Sequence, residues 1–107
     1  MDIIAIQINC PSEAVAEAIA DELLSRRLVA AANIHAGVRS RYHWRGAVVR
    51  ATEVPLVLKT RATLFEAVAA AARALHPYET PAITATTIPH VTADYRAWVV
   101  SETECAA

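Results

Sequence analysis

The sequence predicts an α+β protein, one antiparallel sheet backed by two helices. Three observations carry this expectation. Four stretches alternate apolar and other residues with the period of a strand, and two longer stretches between them repeat with the period of a helix. Their order is strand, helix, strand, strand, helix, strand, with a short helix at the end. The chain has 107 residues, the size of one domain with one core, so a single domain is expected over 1–107. Hydrophobic residues make up 55% of it, more than so small a core readily hides. That surplus points to an oligomer.

Taken in order, Ile4, Ile6 and Ile8 alternate with Ala5, Gln7 and Asn9 in a first strand, and Ile3 adds bulk. Pro11 and Ser12 suit a helix start. A helix over residues 12–27 then sets Glu13, Glu17 and Asp21 on one side. Val15, Ile19 and Leu23, joined by Ala16, Ala20 and Leu24, make the core side, and Arg26 and Arg27 fall in the last turn. Residues 29–60 read as one long hairpin, with a kink or bulge at Ala36-Gly37 and a turn at Gly46. Within it Val38, Ser40, Tyr42 and Trp44 face one way, and Arg39, Arg41, His43 and Arg45 the other. The cationic row is read first as a solvated face. Pro55 cannot donate to a ladder and is expected at an edge or bulge.

Thr60 to His76 is expected as the second helix, with Leu64, Phe65, Val68, Ala72 and Leu75 buried. A fourth strand runs from Ile83 to Ile88. A terminal helix begins at Asp94 and contains Tyr95, Trp98, Val99 and Val100. Two βαβ halves in this order form a ferredoxin-like β-α-β-β-α-β sandwich.

Several function classes are disfavoured. A net charge of -1 argues against nucleic acid as a partner. No run approaches the ~18 apolar residues of a membrane span, and Met1-Asp2 leads straight into a strand pattern, so a cytoplasmic protein is expected. Cys10 and Cys105 do not make a disulfide framework, and Cys105 is read as a tail residue. No glycine-rich phosphate loop and no nucleophile–base context supports an enzyme.

The densest run of special residues is His76-Pro77-Tyr78-Glu79-Thr80-Pro81, where Pro77 stops the helix and restricts His76. Together with Cys10-Pro11-Ser12-Glu13, Arg27-Leu28-Val29-Ala30-Ala31, Asn33-Ile34, Gly37-Val38, Ser40 and Tyr42-His43-Trp44-Arg45-Gly46, it makes the chain resemble the CutA family. Leu58-Lys59-Thr60 and Tyr95 with Trp98 complete the match, which spans nearly the whole chain. This family of divalent-cation tolerance proteins implies a ferredoxin-like protomer, a homotrimer with interlocked ribbons, and a link to copper or another divalent metal ion. It implies no catalytic activity. Two positions depart from the family pattern. Ala32 stands where many relatives have cysteine, and Ala82 where they usually have glutamate, so one thiolate and one carboxylate are missing.

The residues themselves offer two candidate sites. His76 is the first metal candidate, because it ends a helix where a cation is favoured; it can equally be a histidine that hydrogen-bonds to carbonyls. Cys10, at a strand-to-helix handover, is the second metal candidate, against a reading as a small buried residue with inert sulfur. Tyr42, Trp44, Lys59, Tyr78, Glu79 and Trp98 are candidates to line a ligand cleft between protomers, where lysine and carboxylate bind a small anion or simply pair. Three roles follow: a copper-type divalent-ion binding trimer, a small-molecule sensor similar to PII-type trimers, or a scaffold whose hairpin tips meet a protein partner.

Overall fold

The computed structural model describes residues 2–103; Cys105 lies outside the described residues. Its elements are β1 (Ile3–Cys10), α1 (Glu13–Ser25), β2 (Ala31–Ile34), β3 (Val38–Trp44), β4 (Ala47–Arg61), α2 (Phe65–Leu75), β5 (Ile83–Ile88) and α3 (Ala93–Glu102). One sheet has the order β2-β4-β1-β5, every neighbour antiparallel, and β3 pairs with the far half of β4. This is the arrangement that two split βαβ halves produce.

The core lies between sheet and helices. Ile4, Ile6, Ile8, Leu56 and Leu58 from the sheet meet Ala16, Ile19, Leu23, Val68 and Ala72 from the helices. Each large side chain buried there contributes about 1.5–3 kcal/mol of transfer free energy. The strict alternation in β1 explains the inward isoleucines.

Helix α1 starts as its sequence dictates: Ser12 Oγ accepts from the Val15 N–H at 3.2 Å, and Glu13 sits in the first turn. It ends earlier than expected. Arg26 is the cap, and Arg27 adopts a left-handed conformation with φ 54°. The Arg27 N–H donates to Leu24 O and the Leu28 N–H to Leu23 O, both at 3.0 Å, which closes the helix end. The two arginines therefore lie beyond the last turn, not in it. Arg27 Nη1 instead reaches Glu102 Oε2 at 3.0 Å and ties α1 to α3. Leu24 falls off the buried stripe and is exposed.

The second helix also begins later than expected. Thr60 and Arg61 continue β4, opposite Ile4 and Ile3, and a 3-10 turn at Ala62–Leu64 leads into α2. Two distant partners keep this segment extended. Thr60 Oγ1 donates to Leu28 O at 2.7 Å. The buried Arg61 donates through Nε to Thr103 Oγ1 at 2.9 Å and through Nη2 to Thr103 O at 3.0 Å. Leu64, Val68 and Ala72 are buried as expected and Phe65 half so, whereas Leu75 is exposed.

The long hairpin is present and carries the expected bulge. Ile34 pairs with Leu56 and Val38 with Glu53, so residues 35–37 stand opposite only Val54 and Pro55. Pro55 lies at this break: its carbonyl accepts from the His35 N–H at 2.9 Å, but without an N–H it returns no bond, and the regular ladder stops there. At the tip Arg45 (φ 50°) and Gly46 (φ 81°) form a two-residue turn with both φ positive.

Replacing Thr60 with valine keeps the shape but strands the Leu28 carbonyl. Unfolding in denaturant should show a loss of about 1–3 kcal/mol, with Thr60→Ser close to the parent. An unchanged midpoint in Thr60→Val would mean the carbonyl has another donor.

Candidate functional site

The hairpin beyond the bulge and the segment after α2 enclose a cleft of about 380 Å³, lined by Tyr42, Trp44, Val49, Pro77, Tyr78, Glu79 and Thr80. Alternation in β3 sends Tyr42 and Trp44 to one face, and the register puts Val49 opposite Tyr42. Pro77 ends α2 and turns Tyr78 and Glu79 towards that face. The cleft is closed at the tip by Arg45, whose Nη2 donates to Glu79 Oε2 and whose guanidinium lies 5.3 Å from the Trp44 ring centroid.

Four of the six expected cleft residues are thus brought together: Tyr42, Trp44, Tyr78 and Glu79. Lys59 and Trp98 are not among the lining residues of this protomer. Lys59 lies on β4 between Ala5 and Ala31, and Trp98 on α3 beside Tyr95, ring centroids 5.6 Å apart. The carboxylate of Glu79 is paired with Arg45, not with Lys59.

His76 is a joint. It is 7% exposed, caps α2, and uses both ring nitrogens. Nδ1 accepts the Tyr78 N–H at 3.1 Å, which leaves the ring proton on Nε2, 2.8 Å from Asn9 O. The ring also meets Tyr78 edge-on at 4.8 Å. A metal would have to displace one of these bonds. Cys10 is fully buried at the end of β1, and burial first, then the charge of Glu53, pushes its thiol up to about 11. It behaves as an inert core thiol and not as a thiolate ligand. Among the described residues no group of three His, Cys, Asp or Glu side chains could hold a metal ion. His76 and Cys10 therefore do not fit a resident copper site within this protomer.

Sequence reasoning missed Glu53, a carboxylate only 4% exposed. It shares the strand parity of Val49 and so belongs to the aromatic face of the hairpin. Burial, the Tyr42 hydroxyl and the charge of Glu53 push Tyr78 up to about 12. The available signal was that parity, legible only once the register is known.

Fold and site together define a class: an α+β sandwich with a projecting ribbon and a ligand-sized aromatic cleft. The family model described as CutA1 divalent ion tolerance protein matches residues 4–102. The chain belongs to the CutA1 divalent ion tolerance family. It is 39% identical over 98 residues to the divalent-cation tolerance protein CutA of Thermus thermophilus, covering 92% of this chain and 95% of that one. It is 33% identical to protein CutA of Mus musculus over 91% of this chain but spans only 55% of the mouse protein's length. The structure of the periplasmic divalent cation tolerance protein CutA from Archaeoglobus fulgidus superposes with a TM-score of 0.92 at 34% identity, covering 95% of this chain and 99% of that one.

Cys10 and Tyr78 fix the sign of an alkaline dependence. Both folded values lie above the ordinary 9.0 and 10.0, so their stabilisation is complete below pH 9 and is lost as pH rises to about 11 and 12. Stability measured from pH 8 upward should fall over this window, and Tyr78→Phe should flatten its upper part. A flat profile in the parent protein would contradict the burial of both groups. Native alkylation mapped by peptide mass spectrometry should leave Cys10 unmodified until the chain unfolds.

Proposed function

We propose that this chain serves the response to divalent metal ions as a cytoplasmic homotrimer. It binds a copper-like divalent cation through donors from more than one protomer and catalyses no reaction. The observation that carries this reading is Glu79. It is the one carboxylate among the cleft-lining residues, and its partner Arg45 sits on an exposed tip, both side chains more than half exposed. An exposed pair of this kind contributes little stability and exchanges readily for another cation. Membership of the divalent ion tolerance family supports the metal role. Large apolar side chains left on the surface, Ile34, Val38, Trp44, Val48 and Trp98 among them, support assembly through the ribbon. Among the described residues no helix is long and apolar enough to cross a membrane.

A second reading, a small-molecule sensor, is favoured by one observation. The cleft volume and aromatic walls fall in the range of ligand pockets.

Anaerobic copper titration against a competing chelator separates the two. Glu79→Gln should weaken copper binding about tenfold, a change of about 1.4 kcal/mol. His76→Ala should bind copper like the parent but unfold at a lower temperature, since it orphans Asn9 O and the Tyr78 N–H. Equal copper binding by Glu79→Gln would remove the cation role and leave the sensor. Sedimentation at a monomer mass would remove the trimer.

A further inference from the structure

The face of the hairpin turned away from the cleft carries a cluster of arginines that meet no carboxylate among the described residues. Arg41 and Arg50 are direct cross-strand partners, and Arg39 lies two residues along on the same face, opposite Thr52. Directly opposed like charges destabilise a strand pair, and Cβ atoms at such positions lie only about 4.5–5.5 Å apart. Elsewhere in the chain the guanidiniums are accommodated. Arg26, Arg27 and Arg45 each meet a carboxylate, Arg61 is held by Thr103, and Arg73 reaches Glu79 O. By contrast, no acidic side chain pairs with Arg39, Arg41 or Arg50 among the described residues, and Arg41 bonds only the backbone of its neighbour, Ser40 O, at 2.9 Å. The three guanidiniums, with Ala51 and Thr52, surround a concavity of about 230 Å³.

We propose that this arginine cluster is a binding site for a multiply charged oxyanion of pyrophosphate size. Guanidinium forks match phosphoryl and carboxylate oxygens two at a time, and an anion between Arg41 and Arg50 turns their repulsion into two charge-assisted contacts. The Thr52 hydroxyl at the rim adds a neutral donor. The concavity suits a compact anion, and the chain's net charge of -1 disfavours a nucleic acid strand. Because the site lies on the opposite face from Tyr42 and Trp44, it stands independently of the role proposed for the cleft.

Calorimetric titration at low ionic strength tests it, with inorganic pyrophosphate and citrate as probes. Pyrophosphate should bind, and Arg41→Gln or Arg50→Gln should each weaken it about tenfold or more. Arg41→Lys should bind less well than the parent, since it keeps the charge and loses the fork, and Glu17→Gln on α1, which removes the same charge far from the hairpin, should bind as the parent does. Pyrophosphate without citrate binding would make the site a phosphoryl reader; equal binding of both would make it a general polyanion site. Without anion, the two glutamine variants should melt no lower than the parent because a repulsion has been removed, so lost binding is not lost folding. No heat with either probe at millimolar concentration, or equal affinity in the Arg41→Gln/Arg50→Gln double variant, would overturn the proposal.

Discussion

One extra residue opposite Pro55 governs the shape of this molecule. Before it, β2 follows β4 as part of the sheet over which the helices pack; after it, β3 and the far half of β4 leave as a two-stranded ribbon. Three residues against two cannot keep a regular ladder, so strand direction and twist change there. Proline suits the position because it accepts from His35 but returns no bond, which ends the regular ladder there. Gly37 fits the crowded side of the bulge, where a Cβ would stand 3.2 Å from Thr52 Cγ2. The bulge also shifts the alternation by one residue. It thereby sets which side chains of β3 join the cleft and which form the arginine face.

The second wall of the cleft depends on His76. A neutral ring that accepts from one backbone amide and faces one carbonyl fastens the end of α2 to the end of β1 and orients Tyr78. A histidine with both nitrogens so engaged is a structural element. Within this protomer both ring nitrogens serve the backbone, and this accounts for the proline beside it: Pro77 holds His76 extended (ψ 131°), as a helix-ending residue requires. Cys10 is subject to the same burial at the other end of the joint. The motif that looks most like chemistry in the sequence works in this protomer largely as architecture, and Glu79 is its one carboxylate, exposed to solvent.

Much of the fold was legible because it rests on local period. The isoleucine alternation of β1, the bulge at Ala36-Gly37, the tip at Gly46 and the opposite faces of Tyr42 and Arg41 all follow from residues close together in the chain. What escaped depends on distant partners. Thr60 stands where the hairpin and helix expectations meet, and Arg61 shows no strand signal of its own; both stay extended because Leu28 and Thr103 hold them, the latter 42 residues from Arg61. The role of His76 is fixed by Asn9, 67 residues away. Glu53 reads as a surface charge until the register places it among Val49, Tyr42 and Tyr78. Of the cleft, the four residues on the two strongest motifs were found. Lys59 and Trp98, grouped with them on residue type, lie on β4 between β1 and β2 and on α3, outside the cleft of this protomer.

The ribbon poses an energetic question that the cleft answers. A two-stranded hairpin is marginal on its own in water, and this one exposes Trp44 on its cleft face and carries exposed Val48 beside the opposed arginines on the other. Its root is fixed by β4, and its tip meets the body at the cleft: Tyr42 and Trp44 against Pro77 to Thr80, and Arg45 against Glu79. The ribbon's position therefore sets the cleft's geometry. Any molecule seated between those walls contacts both, and it favours the docked ribbon by the difference in its affinity for docked and released states. An anion on the far face acts on the same ribbon by a separate route, since it removes the repulsion between Arg41 and Arg50.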